Sequence, residues 1–514
     1  MLKKSLPTLL MIVLLASCSK DLDLPNSAIL PNDLMSKEEI NQTLYAAIEA
    51  DGIFHWDKAD ARLMYSAAMQ SDSLFAIGYQ IAGTQDLPSK IHEIDIESTQ
   101  WIAARDKVLQ VILDGERELN PDKTVEQLLP HGYPKVLPSM AVLLTNPATI
   151  EKLRNMEEIR YLEAMGYELP PLRELNDNAV ERSSSGCGSA TPNYSISSAD
   201  YTTISPNCKR GWNLPTSNVH TAWNTTQGSG VTVVIIDTGL SDDQDNLGSQ
   251  FTSGYSSGRF VQRYSTKYSG WWWWRSLDSP HDQCGHGTQM AGIATAPRSS
   301  DGNSVGIAYK SNLIGIRAVQ DVFISSSDEK DGVKDALILA GNRSDVKVIS
   351  MSLGTPFWSG TVADGVYFAY NKGKSIFAAA GTSFSWTSGV GVIFPATMSQ
   401  THAVTGVRDT NPGSKCNTCH SGSQVDFTMI MQRSSNNSRN GLTLSVYSNQ
   451  PNYVSGSSCA TASVAGIAAL VYANNPGASR SFVYNALRTN GSYYPNKSGS
   501  LGWGYINAQG AINY

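Results

Sequence analysis

Two hydrophobic periodicities alternate along the chain and divide it. Near the start, "SKEEINQTLYAAIEA" places Ile40, Leu44 and Ile48 four residues apart, which marks one apolar face of a helix. Ser36 and Glu39 stand at its head with capping-box spacing. A second helical run, "WIAARDKVLQVILDGEREL", covers 101–119. Between 139 and 169, "SMAVLLTNPATIEKLRNMEEIRYLEAMGYEL" reads as strand, short helix and strand. The following "ELNDNAVERSSSGCGSATP" is polar and rich in small residues, as a linker or processing region would be.

From about Tyr194 the pattern changes. Short apolar runs ("VTVVIID", "LIGIRAV", "VKVISMSL", "SIFAAAG", "THAVTGV") are separated by helical segments such as "KDGVKDALILAG" and "TASVAGIAALVYAN". Strands apolar on both faces and spaced by helices predict an α/β fold, a parallel sheet covered by helices on both sides. The helix and strand runs before it predict an α+β N-terminal domain. Functional groups in such sheets gather at strand ends and helix starts. The expected segments are 1–17, 18–34, 35–175, 176–193 and 194–514: a signal, a tether, the α+β domain, the linker and the parallel-sheet domain.

Composition narrows the class. The 514 residues leave room for two or more domains, and 41% hydrophobic with 16% charged residues is ordinary for a globular chain. A net charge of −6 argues against nucleic-acid binding, which needs a basic stripe to neutralise phosphates. "MLKKSLPTLLMIVLLASCSK" has Lys3 and Lys4 ahead of an apolar core, Leu9 to Leu15, too short to span a bilayer; it reads as an export signal. "LASC", ending at Cys18, resembles a bacterial lipobox, which implies cleavage before Cys18, acylation of its thiol and attachment to a membrane. Ser19 and "SKDLD" then imply an outer-membrane or cell-surface address in a Gram-negative bacterium. Six further cysteines would lie in an oxidising compartment. Cys187 with Cys208, and Cys416 with Cys419, pair by proximity, although spacing does not fix connectivity.

Three stretches together meet the needs of a nucleophilic serine. Asp237 ends the strand "VTVVIID", where a buried carboxylate is costly without a partner. His286, in "GHGTQMAGIA", opens a helix between glycines, and Ser458, in "GSSCATASVAG", opens another after Gly456. A hydroxyl becomes a useful nucleophile when an imidazole takes its proton and a carboxylate fixes the tautomer. Singly, each residue has a structural role open to it: loop cap, helix start, small packing residue. His281 competes with His286 but lacks the Gly-Thr helix start.

In their order, these motifs resemble those of the subtilisin-like serine proteases, the subtilases. "DTG", "HGTQMAG" and "GSSCATASVAG" match the family's aspartate, histidine and serine motifs. "ISMSLG" and "FAAAG" are similar to the segments that flank the substrate backbone, and "FPA" to an aromatic-Pro turn. The resemblance runs from about residue 210 to the closing "GWGYINAQGAI". It implies a peptide hydrolase acting on proteins or peptides through an acyl-enzyme, with Asp237, His286 and Ser458 as triad. It also implies Ser352, Leu353, Gly354, Ala379, Ala380, Gly381 and Ile393 beside the substrate. No cofactor is required, though calcium is common among relatives. "DDQDN" (242–246) offers carboxylates, and a solvated acidic loop is the alternative.

Departures from the family pattern matter. Thr382 stands where subtilases carry the asparagine of the oxyanion hole, so a hydroxyl replaces an amide. A catalytically weak scaffold serving as a surface binding module is therefore the rival reading. Cys459 replaces the usual methionine beside Ser458, and the motif register points it into the core. Ile393 takes a position often occupied by glycine at the floor of the primary specificity pocket, which implies small side chains before the scissile bond. "CNTCH" (416–420) fits the haem-attachment pattern C-x-x-C-H, but a local disulfide or paired thiols accounts for it more simply. Residues 135–169 resemble the end of an inhibitory subtilase propeptide, which implies a prodomain cut off between Leu169 and Ala190; a permanent spacer is the other reading. Trp271 to Trp274 precede His286 in a loop that forms part of the cleft rim in relatives. Packing, an aromatic wall, and a membrane or glycan contact all remain open for them.

Overall fold

The computed structural model describes residues 33–170, 187, 190–270, 274–382, 391–410 and 413–514. The lipobox with Cys18, and Trp271 to Trp273, lie outside them.

In the N-terminal region, helix α1 (Lys37–Asp51) carries the capping box: Ser36 Oγ accepts from the Glu39 N–H at 3.3 Å, and the Glu39 carboxylate accepts from the Ser36 N–H at 2.8 Å. Helix α2 (Ala61–Met69), strand β1 (Leu74–Tyr79), the short α3 (Leu87–Lys90) and α4 (Thr99–Leu119) follow. The strand–helix–strand of 139–169 is β2 (Ser139–Leu143), α5 (Ala148–Arg154) and β3 (Ile159–Ala164). The apolar pattern did not reveal β1, yet it is the central strand of the antiparallel sheet β2-β1-β3. All of "LFAIGY" is buried, so it lacks the alternation of a half-exposed strand.

A hairpin, β4 (Tyr201–Ile204) and β5 (Cys208–Gly211), and the short α6 (Val219–Ala222) lead into the second region. Next come β6 (Thr232–Asp237), β7 (Val261–Ser265) and the antiparallel pair β8 (Tyr268–Ser269) and β9 (Ser276–Leu277). Helix α7 (His286–Thr295), β10 (Asn312–Arg317), α8 (Ser327–Asn342), β11 (Val346–Met351), α9 (Gly360–Asn371) and β12 (Ser375–Ala379) follow in order. Then come β13 (His402–Arg408), β14 (Val425–Gln432), the hairpin β15 (Gly441–Leu444) with β16 (Pro451–Val454), and helices α10 (Ser457–Asn474), α11 (Arg480–Thr489) and α12 (Ala508–Ile512).

Seven of these strands form one parallel sheet in the order β14-β13-β12-β11-β6-β10-β7. Val233 and Ile235 of β6 pack with α7 and α10 on one face; Val234 and Ile236 pack with α8 and α9 on the other. Helices on both faces of a parallel sheet are what the doubly apolar strands predict. The chain turns back around β6, with β10 on one side and β11 on the other, and such a switch point opens a crevice at the carboxyl ends of the strands.

The N-terminal sheet sits against α8 and α9. Arg160 forms a buried ion pair with Asp364 (2.9 and 2.6 Å), and the Tyr161 hydroxyl donates to the same carboxylate at 3.0 Å. Both Glu163 oxygens accept from the Gly360 N–H (2.9 and 3.0 Å) at the start of α9. Burial pushes the Glu163 carboxyl up to about 8. Gly360 also admits the Tyr161 ring, whose atoms lie 2.5 Å from where a Cβ would stand. A second hook comes from the helical part: Phe54 N–H donates to Pro356 O and Phe54 O accepts from Trp358 N–H, both at 2.8 Å, while His55 stacks on Trp358.

Removing one partner of a buried ion pair leaves the other uncompensated, at a cost of about 3–5 kcal/mol. Arg160→Ala is therefore expected to lower the urea stability of the N-terminal region by that order, and Arg160→Met with Asp364→Leu by clearly less. Equal losses in the two variants would contradict the role given to this pair.

Candidate active site

Asp237 is the last residue of β6 and is 1% exposed. Its Oδ1 accepts from the Thr238 N–H and from His286 Nδ1, each at 2.8 Å. His286 is the first residue of α7, after Gly285 at φ +92°, a left-handed conformation that glycine tolerates. A Cβ on Gly285 would also come within 2.3 Å of Ala190, so the position is closed to other residues.

Burial works against a charged His286, but the Asp237 carboxylate outweighs it through charge and hydrogen bond. Asp282 and Asp321 add to this, and the imidazole pKa is raised above its usual 6.5. The same hydrogen bond keeps the proton on Nδ1 and leaves Nε2 as the basic nitrogen of the neutral ring.

Asp282, which the motif reading passed over, secures this helix start. Its Oδ1 accepts from the N–H groups of Cys284 (3.1 Å) and Gly285 (2.7 Å) and from Thr238 Oγ1 (2.8 Å). Its Oδ2 accepts from the Thr288 N–H (2.8 Å) and Oγ1 (2.7 Å). Thr238 Oγ1 in turn accepts from the Gly287 N–H at 2.9 Å. One buried carboxylate thus ties the loop after β6 to the first turn of α7. The available signal was an aspartate four residues before a glycine-flanked helix start, where a carboxylate meets the positive end of the helix dipole.

Ser458 lies in the first turn of α10, after Gly456 at φ +107°. Its Oγ donates to Ser352 O at 3.5 Å, and Ser352 Oγ donates back to Ser458 O at 3.0 Å. In this rotamer the hydroxyl bonds to Ser352 rather than His286; such contacts are often loose in unliganded sites and tighten with substrate. Cys459 is buried, its Sγ donates to Ser455 O at 3.0 Å, and burial holds the thiol pKa far above its usual value. It is a neutral core residue.

Ser458 shares a small cavity with Ser352, Leu353, Gly354, Ala379, Gly381, Thr382 and Ile393, and about 30 Å³ of it is free. Ala380 does not belong there, contrary to the sequence expectation. It is fully buried beside Val392 and Ala396, because alternate residues of an extended segment face opposite ways. Thr382 Oγ1 is 3.0 Å from Ser457 Oγ. His420 adds a wall the sequence reading did not assign: the bridge between Thr382 and Cys419 brings its ring against Gly381.

The cysteine pairing needs one correction. Cys416–Cys419 is a disulfide, but Cys187 pairs with Cys284, not Cys208. Cys208 is buried in β5, its thiol pushed up to about 11 by burial, whereas Cys187 is carried to the loop two residues ahead of His286. His281 stands apart from the cluster, paired with Asp242 at 3.4 Å. In the "DDQDN" loop, Asp242 lies 3.5 Å from Arg263 and the Asn246 side chain bonds Asp301 and Asn303, both at 2.8 Å. Among the described residues no three His, Cys, Asp or Glu side chains converge as a metal site. A larger cavity, about 810 Å³, opens at the other end of the sheet near Lys347, His402 and Arg480, and none of Asp237, His286 and Ser458 lines it.

A family model described as the subtilase family matches residues 228–504. Thermitase of Thermoactinomyces vulgaris is 28% identical over 302 residues, 57% of this chain and 92% of that protein. An extracellular protease of Xanthomonas campestris pv. campestris is 27% identical over 407 residues, 71% and 67% of the two chains. Subtilisin Savinase of Lederbergia lenta is 30% identical over 288 residues, 55% and 91%.

His286 should titrate above 6.5 when followed by NMR, and Asp237→Asn should drop it below that value, because burial stays while the balancing charge goes. An unchanged midpoint would break the link between the two residues.

Proposed function

The chain belongs to the subtilase family of serine endopeptidases, and on that premise we propose that Ser458, His286 and Asp237 hydrolyse peptide bonds of protein substrates in an exported enzyme. The observation that carries the assignment is the buried 2.8 Å bond between Asp237, at the end of β6, and His286 Nδ1 at the start of α7.

The steps follow from that tautomer. His286 Nε2 accepts the Ser458 proton as Oγ bonds to the peptide carbonyl carbon. The tetrahedral oxyanion takes hydrogen bonds from the Ser458 N–H and the Thr382 hydroxyl. Imidazolium then gives its proton to the departing amine as the C–N bond breaks, leaving an acyl-enzyme. A water, deprotonated by the same nitrogen, releases the acid and restores Ser458. Asp237 stays ionised throughout and stabilises the imidazolium. Removing the oxyanion-hole amide from a related subtilisin costs about 10²–10³ in turnover, so the threonine hydroxyl supports a slower enzyme. Ile393, 9% exposed at the pocket, favours small side chains before the scissile bond.

The N-terminal region acts as an inhibitory prodomain in this reading, and acylated Cys18 anchors the precursor to the outer membrane. The disulfide between Cys187 and Cys284 adds a constraint on maturation. A cut before Cys187 frees the prodomain and its anchor, with the new N-terminus fixed beside His286; a cut after Cys187 leaves them tied to the enzyme.

A fluorophosphonate probe should label the wild-type protein and leave Ser458→Ala unlabelled, with self-cleavage near residue 180 lost in the variant. Equal labelling of both would remove Ser458 from the chemistry, and no labelling of either would favour the binding scaffold. Thr382→Val, which keeps shape and deletes the hydroxyl, should lower kcat and kcat/KM together by about tenfold or more, the mark of a contact made in the transition state. A change in KM alone would assign Thr382 to binding.

A further inference from the structure

Between β10 and α8 the chain crosses the carboxyl edge of the sheet, and one short piece of it, Val322–Ile324, lies directly against the wall of the proposed active site. The Gly354 N–H donates to Val322 O at 3.1 Å, and the Ile324 N–H donates to Gly354 O at 3.0 Å. Phe323 and Gly354 are partners in a parallel bridge. The Phe323 N–H is turned the other way and donates to Asp321 Oδ1 at 2.8 Å, and Asp321 is among the carboxylates that hold up the His286 pKa. Half-buried Phe323 lines the same cavity as Ser458, Gly381 and Ile393.

A peptide that binds in extended form adds itself as a strand to a free backbone edge. At Gly354 both edge groups are already engaged by the enzyme's own chain. About 30 Å³ of free space beside Phe323 holds one water and no side chain of a substrate. Breaking the two hydrogen bonds without replacement would leave buried polar groups unsatisfied, so an incoming backbone has to supply the same donor and acceptor as it displaces the segment.

We propose that Val322–Ile324 is a resident surrogate strand, and that Phe323 holds the place of the substrate side chain next to the scissile bond until an extended substrate exchanges with it. The inference rests on the reading of Ser458 as nucleophile. Exchange requires a substrate whose extended backbone replaces both hydrogen bonds at Gly354. A ligand that binds only the open arrangement has its apparent affinity reduced by the fraction of molecules that are open, with no effect on the bond-breaking step. Phe323 is thus a positioning residue that sets substrate affinity.

The test uses the full chain, a tetrapeptide amide with alanine before the scissile bond, and a fluorophosphonate probe as a control for Ser458. Phe323→Ala should lower KM by roughly tenfold, the gain expected when the open state is about a tenth of the population, and leave kcat within about twofold. Phe323→Leu, which keeps an apolar side chain, should give a smaller decrease. The Ile324 amide should be protected from hydrogen exchange in the free enzyme and exchange faster once a peptide aldehyde occupies the cleft. An unchanged or raised KM in Phe323→Ala, or an Ile324 amide indifferent to the aldehyde, overturns the proposal. Loss of probe labelling in the wild type overturns the serine assignment instead, so the two failures are told apart.

Discussion

A carboxylate 1% exposed at the end of a strand buried on both faces is tolerable only with strong partners, and for Asp237 the partner is His286. That pairing dictates much of the surrounding architecture. It requires α7 to begin at one point in space, which explains Gly285 in a left-handed conformation and a second buried carboxylate, Asp282, tying the helix start to Thr238. The charge that raises the His286 pKa comes from carboxylates of the fold itself, Asp237 first among them.

The rest of the cleft is arranged around this pair by the parallel sheet. Asp237 ends β6, Ser352–Gly354 follow β11, and Ala379 ends β12 with Gly381 just beyond it, so the ends of three neighbouring strands meet the first turn of α10. The N-terminal sheet packs on α9 through Glu163 and Gly360, and the Cys187–Cys284 disulfide holds Cys187 in the loop just ahead of the histidine.

Strong local patterns were legible in the sequence. β6, β10, β11, β12 and β13 are continuous β-branched or alanine-rich runs, and a sheet covered on both faces needs such runs. Asp237, His286 and Ser458 each stand at a strand end or helix start with a glycine within two residues. Features that depend on distant partners were not legible. "LFAIGY" carries no alternation, because its central place in a small sheet buries all of it. Cys187 and Cys284 are 97 residues apart, and proximity along the chain favoured Cys208. Asp282 reads as an ordinary loop aspartate until Thr238 and Thr288 are brought to it. Ala380 was grouped with its neighbours, though the pleat turns it into the core.

The most direct measurement is a crystal structure of the enzyme soaked with a peptidyl boronate. The account predicts continuous density between boron and Ser458 Oγ, with His286 Nε2 within hydrogen-bond distance and its Nδ1 still on Asp237. Boron bound elsewhere, or a histidine that has left Asp237 in the adduct, would contradict it.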